Sequence, residues 1–105
     1  MSTLSSETKV KNLRNRRYTI SRGSTFRPFQ FDGVVLAEAE IPKYRAAIYR
    51  TMGGKFVTEF LVIGTERSKA EVHGDIEAAC AWFKPGTLTT KLLTILGRWN
   101  PEIIK

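Results

Sequence analysis

Apolar and polar positions alternate along much of residues 17–63, which is the pattern of extended strands. The clearest pair of segments is YRAAIYRT (44–51) and FVTEFLVI (56–63), which flank a Met-Gly-Gly-Lys connection. Its two glycines can take positive φ angles, so the pattern predicts a β-hairpin with a tight turn. In the second segment both sets of alternate residues are mostly apolar, which indicates a strand covered on both faces.

A shorter strand is predicted nearer the start of the chain, where Tyr18 and Ile20 alternate with polar neighbours. Residues 22–24, Arg-Gly-Ser, are typical of a turn. Phe29 and Phe31 then share one face of the next extended segment.

The dipeptide Asp32-Gly33 follows and predicts a second hairpin turn. A β-bulge inside one longer strand is the alternative interpretation. Residues 34–41 then predict a half-buried strand, which ends at Pro42 because proline has no N–H to donate to a strand ladder.

The pattern changes after Gly64, where a polar link over residues 65–74 precedes two helices. Asp75 is the predicted cap of the first helix, and Pro85-Gly86 stops it. Its core-facing residues fall at i, i+3, i+4 and i+7: Ile76, Ala79, Cys80 and Phe83.

The second helix is predicted to start with Thr87 as its cap and to end at Gly97. One apolar stripe runs along it: Leu88, Leu92, Ile95 and Leu96.

Strands first and helices second predict an α+β fold. We expect an antiparallel β-meander of about four strands, roughly residues 17–63, followed by two C-terminal helices packed on one face of the sheet. Residues 1–16 are predicted to be a flexible basic N-terminal arm, and residues 17–105 a single α+β domain. The length of 105 residues and the 42% hydrophobic content suit one domain with a modest core.

The composition also indicates the cellular compartment of the protein. The single cysteine excludes an internal disulfide and favours a reducing environment. No apolar segment follows the early basic residues as in a signal peptide, and no apolar run is long enough to span a bilayer. We expect the protein in the cytoplasm without a membrane partner, since residues 5–17 also lack the long apolar face of an amphipathic anchor.

Charge adds the strongest functional indication. The net charge is +7, and seven of the 17 basic residues lie between positions 8 and 31, where no acidic residue occurs. The other ten basic residues balance the ten acidic ones. A local excess of this kind predicts an anionic partner. The predicted binding residues are Lys9, Lys11, Arg14, Arg16, Arg17, Arg22 and Arg27.

Aromatic residues are interleaved with these cations, and Tyr18 and Phe26 are candidates for stacking on unpaired bases. The alternative is that the aromatic rings face the core while the arginines form an ordinary solvated strand edge.

The remaining chemistry predicts no enzyme, no cofactor and no metal site. His73 is expected to be solvated in the polar link, and Cys80 to be a small apolar residue on its helix. Gly53-Gly54-Lys55 lacks the other residues of a phosphate-binding loop. Glu38 and Glu40 share a strand face as solvated carboxylates or as partners of arginines.

The sequence therefore predicts a small non-catalytic module whose basic arm and adjacent strand bind nucleic acid with low sequence specificity. The alternative is a protein-interaction module, or a small regulator or inhibitor, that docks on an acidic protein surface. A homodimer is compatible with either function.

Overall fold

The computed structural model describes residues 15–23 and 25–97. These residues form a five-stranded antiparallel sheet in the order β1-β2-β3-β4-β5, followed by two helices. The predicted α+β meander with two C-terminal helices is confirmed. The elements are β1 Arg16–Ile20, β2 Phe29–Ile41, β3 Tyr44–Thr51, β4 Phe56–Val62, β5 Ser68–His73, α1 Ile76–Trp82 and α2 Thr87–Leu96.

The prediction of a hairpin at Asp32-Gly33 is wrong, because β2 runs through it without a break. The alternative of one longer strand is right, but the register shift lies between Val35 and Ala37. Gly33 serves a different purpose from a turn residue. A Cβ atom there would lie 2.1 Å from the carbonyl oxygen of Arg50 on β3, so only glycine allows the two strands to approach this closely.

The fifth strand, β5, occupies most of the segment predicted as a polar link. β5 pairs with β4 and forms one edge of the sheet. An edge strand is largely exposed, so β5 needs an apolar residue only where a side chain points into the core. Ala70 meets that need by packing against the core. The alternation within this short polar strand was too weak to indicate it from sequence.

Both helices lie over one face of the sheet, and a buried core fills the space between the helices and the sheet. The sheet contributes small residues at its centre, which let α2 lie close above β2 and β3. The buried residues of this core are Ala37, Ala39, Ala46, Ile48, Phe83, Leu88 and Leu92.

The helix ends agree with the sequence signals except at one cap. The side chain of Asp75 accepts a hydrogen bond from the N–H of Ala78 at 2.7 Å, as predicted. Gly97 ends α2 with a positive φ of 82°, also as predicted. Thr87 is not the cap of α2 but its first residue, because Gly86 takes the capping position.

The opposite face of the sheet curls around a second core. Ile20, Ala47, Tyr49 and Val57 are buried there. The two edge strands are brought together where the loop after β1 meets β5, because the N–H of Gly23 donates to the hydroxyl of Ser68 at 3.0 Å.

In the interior strand β4, the neighbouring residues Val57 and Thr58 point to opposite faces and are both buried, so this part of the strand is covered on both faces as predicted. Ile63 lies after the end of β4 and is 39% exposed. Within residues 15–23 and 25–97, no helix is long and apolar enough to cross a membrane.

Candidate anion-binding surface

The seven predicted cations fall into three groups. Lys9, Lys11 and Arg14 lie outside the described residues, as does most of the predicted arm. Arg16 and Arg17 begin β1, so this end of the predicted arm is part of the sheet. Arg22 and Arg27 lie in the loop between β1 and β2, at the far end of β1.

Arg17 is compensated by a carboxylate of its own fold. Its register partner on β2 is Asp32, and its Nε lies 3.0 Å from Oδ1 of that residue. A second hydrogen bond joins Nη2 to Oδ2 at 3.3 Å. These hydrogen bonds lower the pKa of Asp32 and raise that of Arg17. Arg17 thus offers less net charge to a partner than the sequence indicated.

Arg22 holds the loop in place. Its Nε donates to the carbonyl oxygen of Arg27 at 2.7 Å. Its guanidinium lies over the ring of Phe29, 4.2 Å from the centroid, and 5.4 Å from that of Phe26. Such cation–π contacts stabilise a local conformation. The side chain of Arg27 remains exposed at this loop.

The two candidate stacking residues differ in exposure. Tyr18 packs in the second core, with its ring centroid 4.8 Å from that of Tyr49 and 5.6 Å from that of Phe31. Its faces are therefore largely occupied within the fold. Phe26 is 61% exposed and can receive a partner's ring beside Arg22.

The strand register adds two cations, Arg50 and Lys55, that lie outside the basic segment of residues 8–31. Gly33 pairs with Arg16 on one side and with Thr51 on the other, so the β3–β4 hairpin lies two strands away from the start of β1. That separation is about 10 Å. Arg50 and Lys55 belong to this hairpin and are exposed. The N–H of Met52 donates to the carbonyl oxygen of Asp32 at 2.8 Å, which fixes the hairpin against β2.

We call this group, Arg16, Arg17, Arg50 and Lys55, the basic sheet end. Within the described part of the chain, Arg17 alone among the four has a carboxylate partner. The signal that sequence reasoning lacked was the pairing of β2 with both β1 and the hairpin, which is a long-range feature.

A second charged cluster lies on the curled face and is satisfied internally. Arg45 donates from Nη1 to Oε1 of Glu59 at 3.0 Å and also pairs with Glu38. The hydroxyl of Tyr49 donates to the same Glu59 oxygen at 2.7 Å. Burial, together with the negative charge of Glu59, raises the pKa of the Tyr49 phenol. We call Arg45, Glu38, Glu59 and Tyr49 the internal ionic cluster, and its geometry is that of a structural network.

His73 is not solvated as expected, because it is the last residue of β5 and its side chain is only 8% exposed. Its Nε2 and the hydroxyl oxygen of Thr58 are hydrogen-bonded at 2.9 Å. Thr58 is fully buried, so its hydroxyl is closed to a substrate. Oε2 of Glu71 lies 3.9 Å from the same Nε2 atom, not from Nδ1 where a carboxylate would orient a catalytic imidazole.

Among the described residues, no group of three or more His, Cys, Asp or Glu side chains could hold a metal ion. Comparison of the chain with known protein families, curated proteins and solved structures gives no match.

Proposed function

We propose that this protein is a small non-catalytic module that binds nucleic acid with low sequence specificity, through the basic sheet end and the basic segment that precedes it. The observation that carries the proposal is that Arg16, Arg50 and Lys55 lie at the same end of the sheet, Arg16 and Arg50 on opposite faces, without compensating carboxylates among the described residues. Arg16 lies where the chain enters β1, so Lys9, Lys11 and Arg14 precede this surface directly in sequence.

Phosphate contacts account for the binding. Guanidinium groups suit phosphate oxygens because they present several N–H donors in one plane. Contacts with phosphates position a protein on nucleic acid but carry no sequence information. The basic sheet end is formed by the start of β1 and by the β3–β4 hairpin. We expect it to contact phosphates, and binding through phosphate contacts has low sequence specificity.

The β1 edge extends this surface. Arg27 and Phe26 lie beyond the far end of β1, about 13 Å along the strand from Arg16. A single strand that follows this edge meets cations at both ends and an exposed ring at one. Base–aromatic stacking at Phe26 would tolerate any base.

An acidic protein surface is the alternative partner. β1 is an edge strand of the sheet, and an edge strand can pair with a strand of another chain, including a second copy of this one. Met52, which is 69% exposed at the basic sheet end, would add an apolar contact. A reducing compartment such as the cytoplasm suits either partner for a chain with one cysteine.

The test is a fluorescence-anisotropy titration of the full chain against labelled single-stranded DNA, duplex DNA and RNA. The variant R50Q/K55Q removes two cations of the basic sheet end. The matched control, K43Q/R67Q, removes two exposed cations at the opposite end of the sheet, so both variants have the same net charge.

We expect R50Q/K55Q to weaken binding about tenfold or more, and the control to change it less than about twofold. Equal losses in both variants would show that only net charge matters. No binding of any nucleic acid near physiological salt would contradict the proposal and favour the protein partner.

A further inference from the structure

A cleft of about 570 Å³ lies between the sheet and the helices, at the end of the sheet opposite the basic sheet end. It is bounded by Tyr44, where β3 begins, whereas the basic sheet end lies where β3 finishes at Thr51. The length of β3 separates the two sites by about 23 Å. The volume of the cleft is within the range of small-molecule sites.

Aromatic side chains form one wall of the cleft. The rings of Tyr44 and Phe60 are stacked, with centroids 5.5 Å apart and planes inclined by 25°. Trp82 also lines the cleft, and its indole is held edge-on by Phe83 at a centroid distance of 5.0 Å. Tyr44 remains 37% exposed, so a flat ring system can pack against this wall.

Positive charge borders the same wall. Lys69 on β5 is the register partner of Phe60, and directly paired residues share a sheet face. Lys84 borders the cleft from the loop between α1 and α2, and its carbonyl oxygen accepts a hydrogen bond from the Thr89 hydroxyl at 2.5 Å. No acidic side chain is among the described residues that line the cleft.

We propose that this cleft binds a nucleoside monophosphate, with the base against the aromatic wall and the phosphate near Lys69 and Lys84. A phosphate monoester carries close to two negative charges at pH 7, which matches two uncompensated lysines better than a single carboxylate does. The planar base suits the aromatic side chains, since stacking requires only a π face. The site is separate from the basic sheet end, so this binding does not depend on the function proposed above.

The test is isothermal titration calorimetry of the full chain with AMP, adenosine and ribose 5-phosphate at low salt. Adenosine lacks the phosphate and ribose 5-phosphate lacks the base. We expect AMP to bind, and each partial ligand to bind about tenfold more weakly or worse.

Two variants locate the site. K69Q/K84Q removes both lysines of the cleft, and we expect it to weaken AMP binding at least about tenfold. K43Q/R67Q removes two cations from the same end of the sheet that do not line the cleft, and we expect a change of less than about twofold. Thermal melting of both variants verifies that they are folded.

Three results would overturn the proposal: no AMP binding at millimolar concentration, equal binding of AMP and ribose 5-phosphate, or equal losses in the two variants. K69Q/K84Q should still bind nucleic acid like the unaltered chain. A failure of the cleft proposal is therefore distinguishable from a failure of nucleic-acid binding at the basic sheet end.

Discussion

The internal ionic cluster and the basic sheet end use similar side chains for opposite purposes. In the cluster, the Arg45 side chain pairs with two carboxylates and is 27% exposed, so its charge is neutralised within the fold. At the sheet end, Arg16, Arg50 and Lys55 are exposed and have no carboxylate partner among the described residues. The comparison teaches that a cation's partners, more than its position in a basic stretch of sequence, indicate whether it is available for binding.

The largest expected effect on stability comes from Gly33, the β2 residue that pairs with Arg16 on β1 and with Thr51 on β3. In Gly33→Ala the new Cβ would lie 2.1 Å from the Arg50 carbonyl oxygen and 2.9 Å from Cα of Thr51. The strands must separate, so we expect a loss of about 3 kcal/mol in the free energy of unfolding, measured with urea. The control is Gly53→Ala in the nearby hairpin, where the nearest atom is 3.7 Å away. Similar stability of both variants would contradict the close approach.

Removing the cation of the internal ionic cluster should have the next largest effect. Arg45→Ala leaves Glu59, whose side chain is 12% exposed, without its cation. We expect a loss of about 2 kcal/mol, below the cost for a fully buried pair because Arg45 is partly solvated. Arg16→Ala should cost about 0.5 kcal/mol or less by the same urea measurement. If the two losses are equal, the two regions do not differ as described.

The internal ionic cluster also predicts a loss of stability in alkali. The pKa of Tyr49 is raised in the folded chain, so the neutral phenol stabilises the fold fully below the unfolded pKa near 10. That contribution is lost as the pH rises further, by about 1 kcal/mol between pH 10 and 11. Urea unfolding across this range measures the slope, and Tyr49→Phe should remove this part of it. An unchanged slope in the variant would show that Tyr49 is not responsible.

The smallest expected effect on stability comes from converting a paired cation into an unpaired one. Asp32→Asn removes the carboxylate partner of Arg17 and should leave the melting temperature nearly unchanged, because the pair is exposed. Nucleic-acid affinity should increase severalfold, and the salt dependence should steepen by about one unit. Glu66→Gln, an exposed site in the loop before β5, is the charge-matched control. An equal gain in the control would mean that net charge alone sets affinity.

The fold was predictable where its signals are local. The hairpin after β3, the Asp75 cap and the Gly97 helix end each depend on a few consecutive residues, and all three are present. The Asp32-Gly33 turn and β5 were misread because strand pairing decides them. At Gly33 the neighbouring strand, not a turn, requires glycine.

The candidate site was only partly predictable for the same reason. The basic segment of residues 8–31 includes Arg16, which lies at the basic sheet end. It also includes Arg22, which holds its own loop in place, and Tyr18, which packs in the second core. Arg50 and Lys55 are distant in sequence and join the surface only through the meander. Which cations are compensated depends on register, and register is not visible in a charge count.

The salt dependence of nucleic-acid binding tests the central claim most directly. Each phosphate contact on duplex DNA contributes about −0.9 to the slope of log affinity against log salt concentration. We therefore predict that R50Q/K55Q flattens the slope by about two units, while K43Q/R67Q, with the same net charge, leaves it unchanged. Identical slopes for the two variants would contradict the assignment of the basic sheet end as the surface that contacts phosphate.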